Sequence, residues 1–295
     1  MSEKNKKTSR RVVSKKIVAF VMIMLFAPIG VAYGLHNYTQ AFTLGTNSTQ
    51  PVLPVANDDA ANYSFQLNIP QAGQKVVCIF FDDGWQTQYT NALPILNYYG
   101  YKASFAIITS YVGTSWGNSA GLSYMTWSQI VSLANLGMDI ESHTYSHLDL
   151  ATLSTASIVY QLTQSKQDLE QHGINAPFLI YPDGGGAGNA TVESLTQQYY
   201  LAARGISPGS LNLSQPFDRY DLPAYTIENT TTINDFANMV NNADNSSIVI
   251  LYYHKIDYEN VDTAVTPEEF TAQMQYLQDN NFTVETMRQL FTTTS

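Results

Sequence analysis

The sequence has one cysteine, Cys78, so no internal disulfide is available and the fold must rest on its core. Cys78 lies in an apolar run, where a buried, inert thiol is expected. Positive charge is nearly absent from most of the chain. Of 14 Lys and Arg, seven precede residue 17 (Lys4, Lys6, Lys7, Arg10, Arg11, Lys15 and Lys16), opposed there only by Glu3. Downstream, seven basic residues face 23 acidic ones, a formal −16. That excludes the basic footprint of a nucleic-acid-binding surface and does not suit docking onto anionic lipid. Internal repeats, sustained heptads and a nucleotide-type glycine-rich loop are also missing. What remains is 44% apolar and 13% charged, the balance of a globular protein with a sizeable core.

Only one apolar run is long. Residues 17–35, IVAFVMIMLFAPIGVAYGL, carry no charge and follow the basic segment 1–16 directly. As a helix they reach about 29 Å, enough for a bilayer core. Cations before the run and few after it predict a cytoplasmic N-terminus and an exported body. Cleavage near Ala32-Tyr33-Gly34, as in a signal peptide, is the competing reading. Residues 36–61, rich in Thr, Asn, Gln, Ala and Pro, read as a flexible linker. Asn-X-Ser/Thr sequons begin at Asn37, Asn47, Asn62, Asn189, Asn212, Asn229, Asn245 and Asn281, all after the apolar run, which suits an exported glycoprotein.

Residues 62–295 alternate strand and helix signals, and one domain accounts for them better than two. Strands are expected at 75–81, 102–109, 138–142, 177–182 and 246–253. Helices are expected around 91–100, over 126–137 behind a Thr126 cap, over 154–173, and from Thr266-Pro267-Glu268-Glu269 onward. Such alternation predicts a mostly parallel sheet, open or closed into a barrel.

In parallel α/β folds, active sites gather where strands end at their carboxyl termini. Three of these strands end on reactive groups: Asp82-Asp83-Gly84, His143-Thr144-Tyr145-Ser146-His147, and His254. Any one alone is better read as a turn or a structural histidine. On an extended strand, residues four apart lie about 13 Å from each other. On a helical turn their Cβ atoms come within about 6 Å, close enough to share an ion. Two imidazoles and one carboxylate, from Asp83 or Asp82, leave open positions on zinc, as a catalytic site requires. The second aspartate could take a proton from water, and His254 could protonate a departing amine. These residues together point to hydrolysis of an amide or ester.

The same residues resemble the polysaccharide deacetylases with NodB homology, carbohydrate esterase family four. FFDDG (80–84) is similar to that family's T-F-D-D-G, HTYSH (143–147) to its H-[ST]-x-x-H, and IVILYYHKI (248–256) to its late histidine motif. The resemblance covers most of residues 75–285. It implies an irregular (β/α) barrel with fewer than eight units. It implies Asp82 as general base, His254 as general acid, and Asp83, His143 and His147 as ligands of a divalent metal, most readily Zn2+. It further implies removal of N-acetyl groups from an acetylated amino-sugar polysaccharide, here at the cell surface with the domain outside. A catalytically impaired carbohydrate-binding or envelope protein is the alternative, as is an esterase or amide hydrolase for another acyl group.

One motif departs. The family's R-x-P-[YF]-G stands here as Ile180-Tyr181-Pro182-Asp183-Gly184, without the arginine that steadies the base. Arg204 or Arg219 could replace it through space. Asp183 and Tyr181 are the candidates for the oxyanion and substrate region, and Trp85 is the best candidate to stack on a sugar. Gly184-Gly185-Gly186 reads as a flexible lip or simply a loop. Glu141 and Asp149 are expected to face solvent or cap local structure, and His172 to complement a helix end.

Overall fold

Two seven-residue apolar runs, buried over almost their whole length, lie side by side and in parallel at the middle of a nine-stranded sheet. A strand covered on both faces needs a continuous apolar run, which is what KVVCIFF and SIVILYY supply. The computed structural model describes residues 63–65, 67–68, 70, 73–115, 123–244 and 246–294, all within the compact unit Leu53–Ser295. The expected anchor 17–35 and linker 36–61 lie outside the described residues. No helix among the described residues is long and apolar enough to cross a membrane.

In chain order the sheet strands are β1 (Lys75–Phe81), β2 (Ser104–Ile107), β3 (Asp139–Ser142), β4 (Phe178–Ile180), β5 (Ala202–Arg204), β6 (Ser210–Asn212), β7 (Tyr225–Thr226), β8 (Ser247–Tyr253) and β9 (Phe282–Val284). Their hydrogen-bonded order is β5-β4-β3-β2-β1-β8-β6, with β9 beside the start of β1 and β7 beside the end of β8. Only β6 runs antiparallel to its neighbour. The strand expected at 75–81 forms at full length and the other four form with shortened ends, whereas β5, β6, β7 and β9 span two or three residues each and carry no alternation that predicts them.

The sheet curls strongly. Arg204 ends β5 and Asp82 follows β1, four strand positions apart, about 19 Å across a flat sheet. Yet the Arg204 guanidinium donates to both Asp82 carboxylate oxygens. The residues facing inward confirm the curl. Val76, Cys78 and Phe80 of β1 share one cluster with Phe178, Ile180, Ala202, Leu222, Ile248 and Ile250. The outward residues Val77, Ile79 and Phe81 pack instead under helices α1 (Leu93–Tyr99), α2 (Trp127–Asn135), α5 (Ile233–Val240) and α6 (Pro267–Asp279). Helices α3 (Thr155–Glu170) and α4 (Ala190–Thr196) cover the opposite flank.

The expected barrel is therefore a curled mixed sheet whose ladder does not close. Residues 222–226 span the remaining gap. Leu222 makes a single parallel bridge to Arg204, and β7 pairs with Leu251 and Tyr252 of β8. Local signals behave as read. Thr126 and Thr266 form capping boxes with Gln129 and Glu269, Ser154 caps α3, and Gly100 ends α1 in the left-handed region at φ 72.

Glu141 corrects one expectation. It is fully buried on β3 rather than facing solvent. One oxygen accepts the Phe178 amide and the other has no hydrogen bond. Burial, reinforced by the Asp139 charge, pushes its carboxyl well above the ordinary range. The folded state thus holds a proton that the unfolded chain releases near pH 4.3. Stability from this group is full below that pH and declines as pH rises toward the raised folded value. Glu141→Gln keeps an acceptor for Phe178 and removes the ionisation. We expect it to raise the melting temperature at pH 8 relative to wild type, with the difference shrinking toward pH 4. Equal differences at both pH values in thermal melts would contradict this.

Candidate active site

The carboxyl ends of β1, β3, β4, β5 and β8 open on one side of the sheet, and each carries a polar group there. β1 delivers Asp82 and Asp83. The Asp82 amide still bonds to the Tyr253 carbonyl, at 2.8 Å, so the ladder holds β1 and β8 in register up to the turn. The chain then turns sharply through Asp83, φ 76, and Gly84, φ 82. At Gly84 an added Cβ would also meet the Ile107 side chain at 3.2 Å.

β3 leads into His143 and then a turn, as a shared ion requires. Thr144 and His147 both adopt positive φ, and the Tyr145 amide bonds to the Gln161 carbonyl of α3. The imidazole rings meet edge to face with centroids 4.8 Å apart. Four of the five described non-glycine residues with positive φ are Asp83, Thr144, His147 and Asp183, all in this region. Such strain persists only where surrounding contacts enforce it, and it concentrates at functional sites.

Asp83, His143 and His147 form the one cluster among the described residues that could hold a metal ion, their ligand atoms lying within 4.8 Å of each other. The Nε2 atoms of His143 and His147 each stand 3.4 Å from Asp83 Oδ1. That oxygen is buried and has no hydrogen bond. Ligands at 2.0–2.1 Å on a tetrahedral ion are separated by about 3.3–3.4 Å. The residues present therefore fit a divalent cation, with Nε2 of both histidines and one carboxylate oxygen as donors. His143 Nδ1 lies 2.9 Å from the Ile180 carbonyl, which fixes the ring and turns Nε2 toward the ion position.

Charge supports the same reading. Burial, the largest single influence, opposes ionisation of Asp83, yet its contact with His143 and the charges of His143, His254 and His147 hold its carboxyl well below the usual range. Burial also opposes a charge on His143, but Asp83 and Asp82 outweigh it and raise that pKa. Burial and the neighbouring His143 lower that of His147.

Asp82 is buried beside this cluster, and its carboxylate is gripped by Arg204 Nη2, 2.6 Å from Oδ1. Arg204 is itself fully buried, lies against Phe80 and Tyr252 at 5.1 and 4.5 Å, and gives a further bond to the Gly205 carbonyl. The arginine missing from the third motif is thus replaced through space by Arg204. Arg219 lies instead over the Tyr220 ring.

His254 follows β8, half-buried at the site, and its charge is felt by Asp83. Its loop is tied to the first by Gln88, a fully buried residue that the sequence gives no reason to select. Gln88 Nε2 donates to the main-chain carbonyls of Asp82 and His254, at 2.6 and 2.8 Å. Asn91 adds a bond to the Ile256 carbonyl.

Several expectations change here. Trp85 is buried, stacked on Tyr124 and covered by Lys255, and its indole N–H bonds to Asp83, so it offers no open face to a sugar. Tyr181 is buried in the cluster under α3 and α4 and presents no hydroxyl to a substrate. Asp183 is exposed at the rim, and its charge acts on His147. Gly184 ends a short 3-10 turn and Gly185-Gly186 begin a short extended segment, closely packed: a Cβ at Gly185 would lie 1.9 Å from Asp149 Oδ1. Asp149 caps its local turn and His172 Nδ1 lies 2.8 Å from the Asp168 carbonyl in the last turn of α3, both as expected, while the His172 ring stacks on Trp127.

Comparison with known proteins agrees with this geometry. Residues 70–203 match the family model for polysaccharide deacetylase. This region is a polysaccharide deacetylase domain. YxkH of Bacillus subtilis, an inferred polysaccharide deacetylase, is 28% identical over 142 residues, 48% of this chain and 48% of that protein. The chain thus matches about half the length of that relative. A family 4 acetyl xylan esterase from Clostridium thermocellum, solved with a cobalt ion, shares the fold with a TM-score of 0.50 at 20% identity, over 73% of this chain and 90% of that one. A peptidoglycan N-acetylglucosamine deacetylase gives 0.50 at 16% identity, over 77% and 92%. Arg204 and His254 lie beyond the matched residues and are brought to the site by the fold.

The Arg204–Asp82 pair sets a stability prediction. Arg204→Met leaves a buried, unpaired carboxylate and is expected to cost about 3–5 kcal/mol in urea unfolding. Adding Asp82→Asn removes the stranded charge and should recover much of that loss. A double variant as unstable as the sum of its parts would show that the two groups are not coupled.

Proposed function

We propose that this protein is a metal-dependent deacetylase that removes N-acetyl groups from an acetylated amino-sugar polysaccharide. The observation that carries the reading is the buried Asp82–Arg204 pair placed beside the Asp83–His143–His147 cluster. A pure binding module needs a ligand surface, not a buried, arginine-held carboxylate next to a cation position. A divalent cation bound there, with zinc the best match to two imidazoles and one carboxylate, supplies Lewis-acid activation of water and polarises the acyl oxygen.

The chain's own residues divide the remaining work. Asp82 accepts the proton released as water attacks the acetyl carbonyl, and Arg204 keeps that carboxylate aimed. His254 donates a proton to the amine nitrogen as the carbon–nitrogen bond breaks, leaving a free amino sugar and acetate. Gln88 fixes the spacing of the two by bonding to both of their main-chain carbonyls. The Asp183 main chain, held at φ 53 on the site rim, is the candidate for the oxyanion contact.

Action outside the cell is part of the proposal. It is supported by the basic segment 1–16, the uncharged run 17–35 and the acidic body that follows. The protein would be held at the membrane by that run or released after its cleavage.

The purified protein should release acetate from N-acetylglucosamine oligomers, lose this activity with a chelator and regain it with zinc. Asp82→Asn and His254→Ala should each lower kcat by about 10²–10⁴-fold with little change in KM. Zinc binding without turnover of any acetylated sugar or ester would leave carbohydrate binding as the surviving function.

A further inference from the structure

The two oxygens of the Asp83 carboxylate have different surroundings. Oδ1 is buried without a hydrogen bond and faces both imidazoles at 3.4 Å. Oδ2 accepts a 2.8 Å hydrogen bond from the indole Nε1 of Trp85. This donor is firmly held. Its ring stacks on Tyr124 with centroids 4.4 Å apart and planes inclined by 22°. The main chains of Trp85 and Tyr124 form an antiparallel bridge, and the Lys255 ammonium lies 4.4 Å from the indole centroid. A cation on the π face draws density from the ring and makes its N–H a stronger donor. The carboxylate it grips sits on a left-handed residue two positions after a buried strand, so backbone and side chain are both constrained.

We propose that Trp85 is a positioning residue for the metal, whose N–H withdraws Oδ2 from coordination so that Asp83 offers a single oxygen. One carboxylate oxygen and two imidazoles suit a small cation with few ligands. An unrestrained Asp83 could offer both oxygens, as larger, oxygen-seeking cations such as calcium prefer. Trp85 thereby tunes both affinity and selectivity at the cation position. This inference rests on the metal part of the deacetylase reading and not on the identity of the acyl substrate.

The test is Trp85→Phe in the full chain, which keeps a ring against Tyr124 and Lys255 and removes the N–H. Zinc affinity, measured by competition with a chromophoric chelator, should fall about ten- to a hundredfold, the usual cost of losing a group that orients a ligand. The preference for zinc over calcium should narrow, and the visible bands of the cobalt-loaded protein should weaken as coordination rises above four. The metal-free melting temperature should stay within a few degrees of wild type. If it falls further, replacing Trp85 with benzothienylalanine, in which sulfur stands for the N–H within the same bicyclic ring, carries the same test. Unchanged zinc affinity and cobalt spectrum in a folded variant would overturn the proposal. Wild-type protein that binds zinc yet turns over no acyl substrate would overturn the deacetylase reading while leaving this test valid.

Discussion

A buried guanidinium bonded to a buried carboxylate is the constraint on which the rest of this structure depends. Arg204 and Asp82 belong to strands four positions apart, so they can meet only if the sheet rolls up between them. The rolled sheet then has an inside, and Arg204 closes it at the end where the strands deliver their polar residues. Phe80 and Tyr252 flank the guanidinium and hold it over the inner apolar cluster. A pair of this kind adds little net stability over an apolar substitute, because both charges must be stripped of water. What it specifies is position. With Asp82 fixed, Asp83 is forced into its left-handed turn and the cation position beside it is defined.

Electrostatic economy follows from the same arrangement. The described domain has seven cationic side chains among far more carboxylates, and they are placed with purpose. Arg204 serves Asp82, Arg288 pairs with the buried Asp139, and Lys255 lies over the indole that grips Asp83. Among the described residues no Lys or Arg pairs with Asp83; the Trp85 indole N–H holds one oxygen and two imidazoles face the other. Such a site has the charge and the donor atoms that would suit a divalent cation.

The legible parts of the site were those whose chemistry is local. FFDDG, HTYSH and YYH each place a reactive group within a residue or two of a buried strand, and a strand-then-turn pattern can be read directly from the apolar run. Arg204 was legible only as one of two options, since its role depends on the curl, and strand β5 is three residues long with no period to betray it. Glu141 is not legible as a buried group because a carboxylate is normally solvated, and nothing in GMDIES reveals that β3 is covered on both faces. Trp85 invited a sugar-stacking role because exposed aromatics do that work. Its burial comes from Tyr124, which is 39 residues away in the chain. Gln88 gave no signal at all, since bonds to two main-chain carbonyls depend on the fold and not on a motif.

The departure in the third motif then takes on a specific physical meaning. What holds the Asp82 carboxylate is a guanidinium at one point in space, and the chain can supply that from the end of β4 or from the end of β5. These strands are adjacent and parallel, so a residue at the end of either one reaches the same mouth of the curled sheet. Moving the arginine to the neighbouring strand frees position 180 to be an isoleucine facing the inner cluster, while its carbonyl orients His143. It also leaves Asp183 free of any bulky aromatic requirement on the rim, where its charge is felt by His147. A motif lost from its usual place is therefore not evidence of a lost function when the group it supplied is present in the fold. The arrangement of charges around Asp82, rather than the spelling of the loop that usually provides them, is what the chemistry requires.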